Sequence, residues 1–200
     1  MEAELVSFIA LANCYVYDSA AARELLEKCG SAKEALALSK QRLKENYLED
    51  AEHTLRRAER SGFEILTVED DGYPSRLREC PDAPIVLYKK GMCNLNASRM
   101  IAIVGTRSST EYGAKYCEQI VNHLALCNPK PVIISGMAHG IDSCAHRAAL
   151  NTGLSTVAVM GTGFDIIYPP GNERLSERIS QAGCLLTEFS GGTPSYPYNF

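Results

Sequence analysis

The chain has 200 residues, 46% of them hydrophobic and 22% charged, with 15 glycines and 9 prolines. This excludes a disordered segment and fits one ordinary domain, or a compact domain with a small helical annex. The net charge of −4 excludes a global field that would draw the chain onto nucleic acid, so any anion site must be local.

The opening, MEAELVSFIALANCYVYDSA, has no basic leader. Asn13 and Asp18 break its apolar stretch well short of the roughly 18 to 20 residues of a membrane span, so neither a signal nor an anchor is expected. Up to Ser61 the text is helical: ELVSFIALAN, SAAARELLEKCG, SAKEALALSKQRL and YLEDAEHTLRRAERSG repeat apolar residues at helical spacing, as in Leu25, Leu26 and Cys29. Gly30 suits the position just past a helix, and Ser31 with Glu34 has capping-box spacing, which predicts a tight helical hairpin. Such a hairpin either packs a small helical module or offers backbone amides to a phosphate. Residues 1–62 are therefore read as a small helical domain, and residues 63–200 as a second domain whose lead-in is 63–98.

In that lead-in, FEILTV and IVLYKKG read as strands, and the segment between them, with Gly72, Pro74, Pro81 and Pro84, as loop. From Arg99 strands and helices alternate. MIAIVG is almost uniformly apolar, as expected of a strand covered on both faces, and EYGAKYCEQIVNHLALC sets Cys117, Ile120, Val121 and Leu124 on one helical stripe. PVIISG then leads into DSCAHRAALNTG, STVAVMG leads through a longer loop into NERLSERISQAG, and CLLTEF closes the series. The expected fold class is α/β, a mostly parallel sheet with flanking helices built from βαβ units, preceded by the all-helical domain.

Three of these strands end in glycine: Gly105 in VGTRSST, Gly136 in SGMAHGID, and Gly161 with Gly163 in MGTGFD. In a parallel sheet the three turns share the edge at the carboxyl ends of the strands, where such sheets place ligands. Glycine allows close approach to the backbone, and the following helix offers unpaired N–H groups, so a phosphate suits the site. The hydroxyls of Thr106, Ser108, Ser135 and Thr162 and the cations Arg107 and Arg147 are positioned to complete it. Arg107 needs an anion, either an internal carboxylate or a bound phosphate. Asp142 reads either as the N-cap of its helix or as a direct ligand contact.

Several chemistries are not expected. A G-x-x-x-x-G-K-[ST] loop is absent, and Gly161-Thr162-Gly163 lacks the third glycine and helix start of a dinucleotide fingerprint, so neither ATP hydrolysis nor a redox cofactor is indicated. His139, Asp142, Cys144 and His146 lie close in sequence, but His139 falls in the turn and no second cluster of ligands stands elsewhere, so no metal is expected. No G-x-S-x-G elbow exists, and Ser190 in EFSGGT lacks the strand–turn–helix context of a nucleophile. The eight cysteines (Cys14, Cys29, Cys80, Cys93, Cys117, Cys127, Cys144 and Cys184) are scattered without C-x-x-C spacing, which predicts free thiols and a cytoplasmic location.

In order and spacing, AIVGTRSSTEYG, SGMAHGIDSCAHRAAL, VAVMGTGFDIIYPPGNERLSERI and GCLLTEFSGGTP resemble the DNA-processing protein A family (DprA, also called Smf) over about residues 63–200. YPSRLRECPDAPIVLYKKG looks like that family's lead-in, and 1–62 more weakly like its small SAM-like domain. The resemblance implies a Rossmann-like domain and a non-enzymatic protein of natural transformation that binds single-stranded DNA, protects it, helps load RecA and works as a homodimer, without a cofactor. It implies that Arg107, Ser135, Gly136, Gly140, Asp142, Gly161, Gly163 and Asp165 line the DNA pocket, beside Gly105, Thr106 and Arg147. His139 stands where the family usually has a basic residue, so contact from that turn is expected to be weaker or pH-dependent. The family continues past SYPYNF into a basic segment, which implies a C-terminally truncated chain.

With seven Lys and Arg after residue 98, DNA affinity is expected to rest on a few phosphate contacts plus bases stacked on aromatics. Tyr112, Phe164, Tyr168 and Tyr196 are the aromatic candidates, each with an alternative as core or loop packing. The same turns could instead hold a nucleotide in an enzyme acting on nucleoside phosphates, though MGTGFD offers no catalytic glutamate at that place. A pure partner-docking module would leave the glycine turns unexplained.

Overall fold

A computed structural model describes residues 2–199, which form two compact units: residues 2–88 with 188–190, and residues 89–187 with 191–199. Each is described by itself.

In the first unit, α1 (Glu2–Cys14), α2 (Ser19–Cys29), α3 (Ala32–Leu38) and α4 (Tyr47–Ser61) form a bundle. Phe8, Ile9, Ala10 and Leu11 are four successive buried residues of α1, so this helix is covered on every side and is the bundle's core element. The predicted hairpin is present: Gly30 has φ 76° and returns its N–H to the Leu26 carbonyl, and the Ser31 hydroxyl accepts the Glu34 N–H at 3.3 Å.

The same unit contains β1 (Glu64–Thr67), α5 (Ser75–Arg78) and the start of β2 (Val86–Gly91). The segment between the strands, expected as loop, includes the single helical turn of α5 and is firmly tied. Tyr73 is buried and donates to the Pro84 carbonyl at 2.6 Å, and Arg78 Nε donates to Val68 at 2.7 Å. Arg23 of α2 donates to the carbonyls of Arg78 (2.7 Å) and Cys80 (2.5 Å), which holds the lead-in against the helices.

The second unit alternates β3 (Met100–Ala102), α6 (Glu111–Leu124), β4 (Val132–Ser135), α7 (Ile141–Asn151), β5 (Thr156–Met160), α8 (Glu173–Ala182) and β6 (Cys184–Thr187). These four strands are parallel and lie in the order β6, β5, β4, β3, with Ala102 level with Ile134 and Ile134 level with Val157. The α/β alternation expected from the sequence is therefore the architecture. Small residues let α7 approach the sheet: Ala145, Ala148 and Ala149 share one buried cluster with Cys117 and Val121 of α6 and Ile133 of β4. A second cluster joins Ala158 and Met160 of β5 and Leu185 of β6 to Leu175 and Ile179 of α8.

Two packing expectations are corrected. Ile120 was expected on the inward stripe of α6, but it is 53% exposed while Cys117 and Val121 are buried, because the helix turns Ile120 away from α7. Cover on both faces, expected of MIAIVG, also fails: Ile101 and Ile103 pack against the α6 and α7 cluster, while Ala102 is exposed and Val104 is 74% exposed.

Candidate nucleic-acid interface

Because β3, β4 and β5 are parallel, the turns after them share one rim, and the first two touch. Gly140 presses against the Thr106 carbonyl and the Arg107 backbone so closely that a Cβ there would collide with both. The Ile141 N–H donates to the Thr106 carbonyl at 3.2 Å, and Gly105 packs against the Ile141 side chain, where a Cβ would come within 2.8 Å of Ile141 Cβ. Gly105, Thr106, Arg107 and Ser108 are exposed, as is His139 in the second turn. Arg107 thus projects from the rim with its side chain at the surface. The Thr106 hydroxyl accepts the Ser108 N–H at 3.2 Å, and the Thr110 hydroxyl caps α6 by accepting the Gly113 N–H at 3.1 Å.

The second turn is held from below. Met137 is buried in a left-handed conformation, φ 59°, and its carbonyl accepts from Asn172 Nδ2 at 2.9 Å. Asn172 Nδ2 also donates to the Ser143 hydroxyl at 2.9 Å, which donates in turn to Ala138 at 2.6 Å. Sequence reasoning missed Asn172. Its signal was a polar residue in PPGNE, just ahead of a helix, where it resembles an ordinary cap; the structure gives it no side-chain capping bond. Asn172→Ala is expected to lower unfolding free energy by about 2 kcal/mol, read from urea midpoints, because two buried groups lose their donor.

Asp142 is corrected from N-cap to an interior position. Gly140 occupies the cap, with φ 77° and ψ −127°, and Asp142 sits buried in the first turn of α7, accepting the Gly136 N–H at 3.2 Å. It braces the turn and adds a carboxylate where the helix dipole favours one. Ser135 and Thr162, read as hydroxyls available to a ligand, are buried and donate inward, Ser135 to Ile103 (2.6 Å) and Thr162 to Ile166 (2.7 Å).

The third turn differs from the other two. Gly161 and Gly163 are buried, and the chain after Ser190 folds over them. The Gly163 N–H donates to Thr193 (3.4 Å), Asn199 Nδ2 donates to Gly161 (2.9 Å), and the Asp165 carboxylate accepts the Gly192 N–H at 2.8 Å. Arg147 is exposed on α7 and lines an open groove of about 380 Å³ with Ser109, Glu118 and Gly140, directly below the first two turns. The structure therefore brings Gly105, Thr106, Arg107, His139, Gly140 and Arg147 toward one surface, and sets Ser135, Asp142, Gly161 and Gly163 behind it.

His146, one of the residues considered for a metal, is fully buried. Since Thr156 Oγ1 donates to the Ile133 carbonyl (2.8 Å), it accepts from His146 Nδ1 at 2.7 Å. Burial, partly opposed by the Ser135 backbone, lowers its pKa to about 4 and keeps the ring neutral. Among the described residues no group of three His, Cys, Asp or Glu is placed to hold a metal ion, and no helix is long and apolar enough to cross a membrane.

Parallel strands followed by interlocked glycine turns, with an arginine at the rim, define a Rossmann-like α/β protein. The comparisons narrow that class. The family described as DNA recombination-mediator protein A matches residues 64–200, and the chain belongs to it. It is 39% identical over 138 residues to the DNA processing protein DprA of Streptococcus pneumoniae, covering 69% of this chain and 48% of that protein. To DprA of Bacillus subtilis it is 37% identical over 142 residues, covering 70% and 46%. The chain thus spans about half the length of these curated relatives. The X-ray structure of the S. pneumoniae protein superposes with a TM-score of 0.74 at 29% identity, over 96% of this chain and 71% of that one. A Helicobacter pylori structure, described as showing a single-stranded DNA binding mode of DNA processing protein A, superposes with a TM-score of 0.58 at 27% identity, over 69% and 60%.

Proposed function

We propose that this chain is the single-stranded DNA-binding part of a non-enzymatic recombination mediator, one that protects incoming DNA and assists RecA loading in natural transformation, as a homodimer in the cytoplasm. The observation that carries the reading is the interlock of Gly140 with the Thr106–Arg107 backbone, which joins two glycine turns into one rim beside an exposed arginine. Family membership and the binding mode named for the H. pylori relative support it. Thr106, Arg107, His139, Gly140 and Arg147 would meet the phosphates. Gly105 would lie beside them on that surface, Ser135, Gly136, Asp142, Gly161 and Gly163 would shape the pocket behind it, and Asp165 would contribute from the third turn.

Fluorescence anisotropy with a labelled oligothymidine tests the reading. Arg107→Ala is expected to weaken binding about 10- to 100-fold, the loss of one charge-assisted phosphate contact. The wild-type log–log salt slope should stay below about 5, since few phosphates are neutralised. Displacement of the oligomer by mononucleotides at comparable concentration would favour a nucleotide-handling enzyme, and binding indifferent to Arg107 would remove the rim from the site.

A further inference from the structure

Outside the rim, α6 carries an unusual outer surface. Tyr112, Tyr116 and Ile120 recur at i, i+4 and i+8 and are 68%, 48% and 53% exposed. The two rings lie 4.4 Å apart, centre to centre, at an interplanar angle of 41°. Neither tyrosine belongs to the buried clusters of this unit, which on α6 take Cys117, Val121 and Leu124. Core packing therefore does not explain them.

Resting on the reading of the rim as a DNA site, we propose that this ridge is a stacking track for the bases of the strand as it leaves the rim. Three observations select nucleobases as the occupant. The ridge is continuous with the rim: Tyr112 stands in the first turn of α6, which Thr110 caps immediately after the Gly105–Ser109 segment. Its contact surface is aromatic, offering flat faces that accept any base. Lys115 is exposed on the same helix, between the two tyrosines in sequence, and supplies a cation to the same surface. Successive ridge positions rise about 6 Å along the helix, so consecutive bases can engage consecutive side chains. The sequence reading named Tyr112 as one stacking candidate, but the pairing with Tyr116 and the extension to Ile120 are properties of the folded helix.

The test compares labelled dT4 and dT12 on the wild type, on Tyr112→Ala/Tyr116→Ala and on Tyr112→Phe/Tyr116→Phe. Both positions are at the surface, and circular dichroism checks that the fold is retained. The alanine pair is expected to weaken dT12 about tenfold, to leave dT4 binding and the salt slope unchanged, and to abolish quenching of a 2-aminopurine placed outside the rim-bound nucleotides. The phenylalanine pair should restore all three, because stacking needs the ring and not the hydroxyl. Unchanged dT12 affinity in the alanine pair, with binding still lost in Arg107→Ala, overturns the track and leaves the rim intact. Absence of any oligomer binding by the wild type removes both. A wild-type dimer in sedimentation that the alanine pair dissociates, at unaltered DNA affinity, makes the ridge a contact between copies and also overturns the proposal.

Discussion

Gly140→Ala is expected to destabilise the protein by about 4 kcal/mol, far more than an ordinary surface glycine replacement. Two effects add. With φ 77° and ψ −127° the backbone adopts a conformation that side chains rarely allow. The new methyl would also strike the Thr106 carbonyl and the Arg107 backbone, so the two turns could not remain in contact. Gly153 is the control: its φ of 69° is similar, but a Cβ there meets nothing within 4 Å, so Gly153→Ala should cost only about 1 kcal/mol. Urea denaturation of the two variants compares a glycine locked against backbone with one that faces open space. Equal losses would mean that the interlock contributes nothing. If Gly140→Ala still folds, its oligothymidine affinity should fall with that of Arg107→Ala, since both disturb the same rim.

The second large effect concerns pH. In the folded chain His146 is held neutral with a pKa of about 4, below the 6.5 of an unperturbed histidine. Above pH 6.5 neither the folded nor the unfolded form binds a proton there, and its contribution is complete. As pH falls from 6.5 toward 4, the unfolded chain takes up a proton that the folded chain refuses, so stability declines through that window. The expected loss is about 1.4 kcal/mol between pH 7.5 and 5.5, approaching about 3 kcal/mol near pH 4. Urea melts at pH 7.5 and 5.5 check the first figure against His146→Gln. That variant should be less stable throughout but lack this part of the pH dependence. His53, His123 and His139 are exposed, so the part of the pH dependence that His146→Gln removes is assigned to His146. A His146→Gln variant that keeps the full pH dependence of the wild type would contradict the burial argument.

Much of the architecture was legible in the amino acids. Gly30 and Ser31 mark a helix end and a helix start because capping is settled by bonds between residues three or four apart. The alternation of short apolar runs with helical stripes marks the βαβ series for the same reason, since each period is a property of one element. Glycine after β3 and β4 pointed correctly to the rim, because strand direction alone puts those turns on one edge.

What lay outside reach depended on residues distant in the chain. That Gly140 meets Thr106, that Asn172 holds Met137 across 35 positions, and that Gly161 is covered by Asn199 across 38 are consequences of how helices and loops settle on the sheet. The same cause moved Asp142 from cap to brace and turned Ile120 outward beside the two tyrosines. Local chemistry by itself determined which elements form and where the turns fall. Only tertiary packing decided which of those turns stay open to a ligand, because burial is a property of neighbours brought together by folding rather than of neighbours in sequence.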